Sequence, residues 1–237
     1  MVLTILTQVG GIVFLLSFFV HKLIERKFNQ SFKRTIAKLL SFLLLYLLFV
    51  FVIAPIIAKP LGRVPLPMLE TNHVRPANVL TFFFCRNYVR PALRETVFEV
   101  ANKMNVNYPG TVINYLDASF PFINKFPLPP HLSHNDGKKL DLSFFYKDSK
   151  TNVPRNDVPS PIGYGICEGP KMNEENMPMY CDRQGAWQYN LLTKIIDQSN
   201  AIGFAFDAER TKVMVNNFGL QTAIARMYIE PHLKSRL

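Results

Sequence analysis

His131 and His134 stand three residues apart in Pro130-His131-Leu132-Ser133-His134-Asn135-Asp136-Gly137-Lys138-Lys139-Leu140-Asp141, and they are two of only five histidines in the chain. An imidazole on a turn followed by a carboxylate on extended chain is a donor mixture that zinc accepts, and a catalytic zinc site needs three protein donors plus a position for water. Water bound there loses a proton near neutral pH and becomes a nucleophile. From Leu140 to Tyr146 the residues alternate, with Leu140, Leu142, Phe144 and Tyr146 on one face and Asp141, Ser143 and Phe145 on the other. Asp141 is therefore expected to look away from the apolar core, into a groove or solvent. His134, on the turn before Gly137, can fold back to meet it. A turn with two surface histidines ahead of an edge strand would show the same spacing. Ser133 beside His134 also suggests a nucleophile, but neighbours in a turn seldom form a proper serine to histidine hydrogen bond.

The string P-H-x-S-H-x-x-G-x-x-x-D resembles the zinc-binding signature of penicillin-insensitive murein endopeptidases, within the wider group of LAS peptidases that includes D-Ala-D-Ala metallopeptidases. The resemblance covers roughly Thr111 to the C-terminus. It implies an α+β domain of the LAS type with a small antiparallel sheet, zinc as cofactor, and hydrolysis of amide bonds in peptidoglycan peptides. Carried over position by position, it implies His134 and Asp141 as zinc ligands and His131 as an active-site residue. Asn114, Tyr115 and Asp117 ahead of the motif, and Ser133 within it, are expected to line the substrate groove, although Tyr115 suits the core equally well.

That family takes its third ligand from a later His-x-His pair, and this chain has none. The later histidine is His232, in Ile229-Glu230-Pro231-His232-Leu233. Either His232 is the third ligand with Glu230 as general base, or Glu230-Pro231-His232 is a corner beside the groove and the His-x-His strand lies beyond Leu237. Two other functions stay open: a catalytically inactive cell-wall-binding or membrane scaffold with an incomplete metal site, and a D-Ala-D-Ala carboxypeptidase or dipeptidase using the same ligands.

The N-terminus predicts where such a site would work. Met1 to Val20 and Leu39 to Ala58 carry no charge, and each is long enough to cross a bilayer as a helix. Residues 1–58 are thus expected to form a two-span transmembrane hairpin. Its loop, 21–38, holds Lys22, Arg26, Lys27, Lys33, Arg34 and Lys38 against Glu25, and loops this basic stay in the cytoplasm. Both termini then face outward from the inner (cytoplasmic) membrane, into a periplasm or the extracellular space. Taking that loop's six bases and one acid from the chain's 27 and 17 leaves a modestly basic remainder, so nucleic acid is not implied as a partner. The expected partners are the lipid bilayer and a peptidoglycan peptide.

Residues 59–80 include four prolines up to Asn78 without periodicity, and read as an extended stalk. Residues 81–237 read as the extracytoplasmic metallopeptidase-like domain, lacking its C-terminal strand. Within it, Val89, Leu93, Val97, Val100 and Met104 predict a helix over 86–105, Thr111 to Tyr115 a strand, and 148–161 a surface insertion. Helices are expected over 187–199 and 209–218, and strands over 202–206 and 225–229. The lack of a regular βαβ rhythm points to α+β. Cys167 and Cys181 bracket a loop that a disulfide could close in an oxidising compartment, leaving Cys85 over.

Overall fold

Gln8 interrupts the first apolar run. It takes a φ of 60°, which ends helix α1 (Val2–Thr7), and helix α2 (Gly10–Lys27) begins on two glycines. A Cβ on Gly10 would meet the Leu3 side chain at 2.8 Å, and one on Gly11 would run into the Thr4 hydroxyl. The two helices approach this closely only because both positions lack a side chain. Helix α3 (Ser31–Leu48) returns and continues through a π-helical turn (Phe49–Ile53) into α4 (Ala54–Ala58). Pro55 has no N–H to give; the wider turn before it moves the Ala54 N–H onto Phe49 O and absorbs the lost bond.

The computed structural model describes residues 2–186 and 188–237. Among them one continuous helix, Ser31–Ala58, is long and apolar enough to cross a bilayer, and only 17% of its apolar window is covered by protein. The core helix of a soluble protein would be mostly covered. The other expected span, over 1–20, is not a single helix but is divided between α1 and α2, whose far end carries Lys22, Glu25, Arg26 and Lys27.

The chain folds as two units, one of Met1–Leu66, Leu80–Pro91 and Asp117–Leu140, the other of Pro67–Val79, Ala92–Leu116 and Asp141–Leu237. The segment expected to be a free stalk is folded into them. Strand β1 (Val64–Pro65) lies in the first unit and β2 (Val74–Pro76) in the second, followed by helix α5 (Val79–Phe83). In the first unit β1 pairs antiparallel with β3 (Tyr88–Val89), a two-residue edge that tolerates Pro65. Its apolar core joins Val9, Val13, Phe49, Val50, Ala54 and Ala58 of the helices to Cys85 and Tyr88. Arg63 is buried there at 1% exposure. Its guanidinium donates to Phe120 O, to Asn124 Oδ1 at 2.6 Å and to Asn135 O at 3.2 Å. Burial, with Arg90 nearby, lowers its pKa, yet a guanidinium starting above about 12 stays charged.

Helix α6 (Pro91–Asn107) starts later than its periodicity predicts. Proline suits the first helical position and disfavours helix in the residue before it, so Tyr88 and Val89 go to β3 instead. In the second unit β4 (Ile113–Tyr115) pairs in parallel with β2, Val74 against Ile113. Strand β5 (Tyr146–Asp148) is the centre of an antiparallel sheet with β6 (Pro154–Arg155) and β7 (Phe204–Phe206). Helices α7 (Met177–Arg183), α8 (Gln188–Ile195), α9 (Ala208–Gly219) and α10 (Pro231–Lys234) follow the order of the chain. Asp207 caps α9 by accepting from Arg210 N at 3.1 Å. The whole is mixed α+β with small sheets.

Several expectations need correction. The alternation over 140–146 is not realised as a strand, because Phe145 and Tyr146 are both buried, Phe145 beneath the Arg210 guanidinium at 4.8 Å. Part of the expected surface insertion returns as β6, and 225–229 is irregular chain. Trp187, the expected start of a helix, lies outside the described residues. All three cysteines are free; Cys181 is held on α7 while Cys167 lies in irregular chain.

Replacing Arg63 with Met should lower the unfolding midpoint clearly below that of Lys212→Met. It strands buried carbonyls at about 1–3 kcal/mol each, and Arg63→Lys should rescue little because one ammonium cannot span the same acceptors. Thermal melts of the three proteins check this, and equal midpoints would contradict it.

Candidate metal centre

The turn that carries the histidines is held by bonds local to the first unit. Tyr88 and Ser119 pair across an antiparallel bridge. The buried Ser119 hydroxyl donates to His134 O at 2.8 Å and accepts from Gly137 N at 3.0 Å. Arg90 N donates to Gly137 O at 2.7 Å, and His134 N closes the turn onto His131 O at 3.0 Å. Gly137 takes a φ of 77°, a conformation that side-chain-bearing residues rarely adopt. Asp141 follows on extended chain, its carbonyl accepting from Leu116 N at 2.8 Å next to a Tyr115 to Leu142 bridge.

This places three donors together. One ligand atom each from His131, His134 and Asp141 lies within 4.8 Å of the other two, and all three come from one uninterrupted stretch, 131–141. Donors about 2.0–2.2 Å from a shared ion stand roughly 3.3 Å apart, so small side-chain rotations would close the set. His134 is 5% exposed and its Nδ1 lies 3.1 Å from Ala118 O. A backbone carbonyl can only accept, so Nδ1 carries the proton and the Nε2 lone pair is the one available to a metal. The Tyr164 hydroxyl donates to Asp141 Oδ2 at 2.8 Å, fixing that carboxylate in the same way. His131 Nε2 lies 3.9 Å from Asp117 Oδ2, which accepts from Arg86 at 2.8 Å. Two imidazoles and a carboxylate, with His134 and Asp141 each held by a hydrogen bond, can hold a divalent metal ion.

The remaining expected site residues stand elsewhere. His232 is 3% exposed, with Nε2 2.8 Å from Glu168 O and Nδ1 3.6 Å from Glu230 Oε2. Neither His232 nor Glu230 belongs to the donor group, because α10 is tied to the 168–174 chain by Arg236, which bonds Glu168 and Glu174 at 2.8 Å each. That bond holds the Glu174 carboxyl at about 2, well below the usual carboxylate range. Asn114 is structural as well as exposed to a cavity: its Oδ1 accepts from Arg75 at 3.1 Å and its amide donates to Asn156 O at 2.7 Å. With Arg75, Glu70 and Asp157 it lines a half-open cavity of about 450 Å³. Tyr115 is core, its hydroxyl donating to Pro67 O at 2.7 Å. Ser133 is exposed, and its carbonyl accepts from Lys139 Nζ at 2.6 Å.

No family model, curated protein or solved structure matches this chain. The centre is therefore defined by its own donors. Ser119 and Tyr164 were not foreseen from sequence, and only Tyr164 leaves a signal. It sits between Gly163 and Gly165, both at positive φ, where a Cβ would press to 2.5 Å on Leu116 and 2.8 Å on Leu192 O respectively. Such a pair of close approaches aims the tyrosine between them.

His134→Ala and Asp141→Asn should each abolish retention of one zinc equivalent through gel filtration. Tyr164→Phe should keep the ion but weaken it by about 10–100-fold, the usual effect of losing an outer hydrogen bond to a ligand, as read by competition with a chelating dye. Unchanged affinity in the first two variants would rule out this centre.

Proposed function

We propose that this chain is a membrane-anchored zinc metallopeptidase that hydrolyses amide bonds in peptidoglycan peptides, of the murein endopeptidase type. The observation that carries the reading is the convergence of His131, His134 and Asp141 within a segment whose sequence resembles the family's zinc signature. The donor set suits zinc and also non-haem iron; the resemblance favours zinc. Bound here, zinc would polarise the scissile carbonyl and supply an ionised water near neutral pH.

The chain's own residues hold that chemistry in place. His134 presents Nε2 because Ala118 O holds its other nitrogen, and Tyr164 keeps the Asp141 carboxylate turned. His131 keeps its active-site role and also takes a ligand's place. Asp117, fastened by Arg86, faces His131 Nε2 and borders that ring with a fixed carboxylate. Glu230, the expected base, is engaged near His232 instead. The span Ser31–Ala58, with its basic flank on the cytoplasmic side, supports placing the site in the periplasm or outside the cell, next to the wall.

Full-length protein in detergent, loaded with zinc and incubated with cross-linked muropeptides, should open an amide bond. Chelation should stop the reaction, zinc should restore it, and His131→Ala should lack it. Release of terminal D-alanine alone would make it a carboxypeptidase. Tight zinc with every muropeptide left intact would overturn the enzyme reading in favour of a wall-binding scaffold.

A further inference from the structure

Helix α5 and the residues after it form an apolar surface that the metal centre does not use. Leu80 is 47% exposed, and it is followed by Phe82, Phe83 and Phe84, all half-buried. Contiguous exposed apolar surface marks an interaction site, and its position along the membrane helix decides the partner. The rings of Phe82 and Phe83 pack on Phe51 at 5.3 and 6.1 Å, and the Tyr46 hydroxyl donates to Phe83 O at 2.7 Å. From Tyr46 to Ala58 the helix rises about 18 Å at ~1.5 Å per residue. Helix α5 thus lies alongside the outer part of the span, not beyond its end. The charge-free part of the span begins after Lys38, which is paired with Glu25 at 2.5 Å, and the stretch from there to Ala58 is the ~20 residues that a ~30 Å hydrocarbon layer requires. Tyr46 and Phe51 then sit inside that layer, and whatever packs on them at the same height has lipid on its other side.

We infer that α5 is inserted into the hydrocarbon layer, reaching from about its middle toward its outer face, with Leu80 and Phe83 facing acyl chains, so that the first unit is seated in the membrane and not lifted above it. The backbone there is closed as membrane depth demands: Phe84 N donates to Leu80 O, Cys85 N to Phe82 O and Arg86 N to Thr81 O, and Phe83 O takes the Tyr46 hydroxyl. Phe122 packs on the same apolar cluster as Phe82. The Gln8 side chain satisfies the N–H groups of Phe122 and Ile123 at 2.8 and 3.3 Å. The inference rests on reading Ser31–Ala58 as a span and is independent of the metal centre.

The chain has one tryptophan, so Trp187→Phe provides a dark background for depth measurement in proteoliposomes. Leu80→Trp and Leu44→Trp in the span would each be compared in plain and brominated lipids. The expected result is strong quenching at both positions. Quenching at 44 without 80 would leave the span standing and overturn the insertion, including the case where a blue-shifted but unquenched signal at 80 shows coverage by a second copy. Quenching at neither would overturn both.

Discussion

A turn built from polar residues keeps one shape only if its backbone groups find partners, and in this protein Ser119 and Ala118 supply them. The Ser119 hydroxyl bonds both His134 O and Gly137 N, while Ala118 O fixes the His134 ring. The centre depends on that attachment, because the ring's orientation sets which nitrogen can meet a metal. The guanidiniums of Arg63 and Arg90 brace the same turn from behind by donating to Asn135 O and Asp136 O. Two buried or half-buried cations spent on carbonyls of one short loop are costly to place, and a rigid donor geometry is what they secure.

The donors themselves were legible in the sequence; the shell that orients them was not. The pairing of His134 with Asp141 is what the resemblance implies, since type and spacing alone fit a surface turn before an edge strand, and His131 is expected as their neighbour in the site; the three do stand together. Backbone acceptors such as Ala118 O have no side-chain signature, and Tyr164 is distant in sequence from the carboxylate it holds. For His232 and Glu230 the sequence leaves two readings open, ligand with base or a corner beside the groove. Their residue types suit a zinc site, yet the ion pairs of Arg236 hold α10 against other partners, and long-range pairing of that kind cannot be read from spacing.

Helix α9 and strand β7 stand where the local sequence pattern predicts them, and the lack of a regular βαβ rhythm foretells the α+β class. Alternation over 140–146 failed because Phe145 is drawn under Arg210, a tertiary contact that overrides period. The proline-rich stretch read as a stalk because proline favours extended chain, but extended chain can equally serve as a sheet edge, and β1 and β2 do so. In the N-terminal run, hydropathy registers length and charge but not the break at Gln8, which depends on the tight packing of Thr4 and Leu3 on Gly10 and Gly11.

Three side chains from one short stretch stand close enough to share a cation. X-ray absorption at the zinc edge on the metal-loaded full chain tests it most directly. Two imidazole nitrogens and carboxylate or water oxygens at about 2.0–2.2 Å, with no sulfur, and a spectrum unaltered by His232→Ala but lost with His134→Ala, is the predicted result. A sulfur shell, or a spectrum that follows His232 and ignores His134, would contradict it.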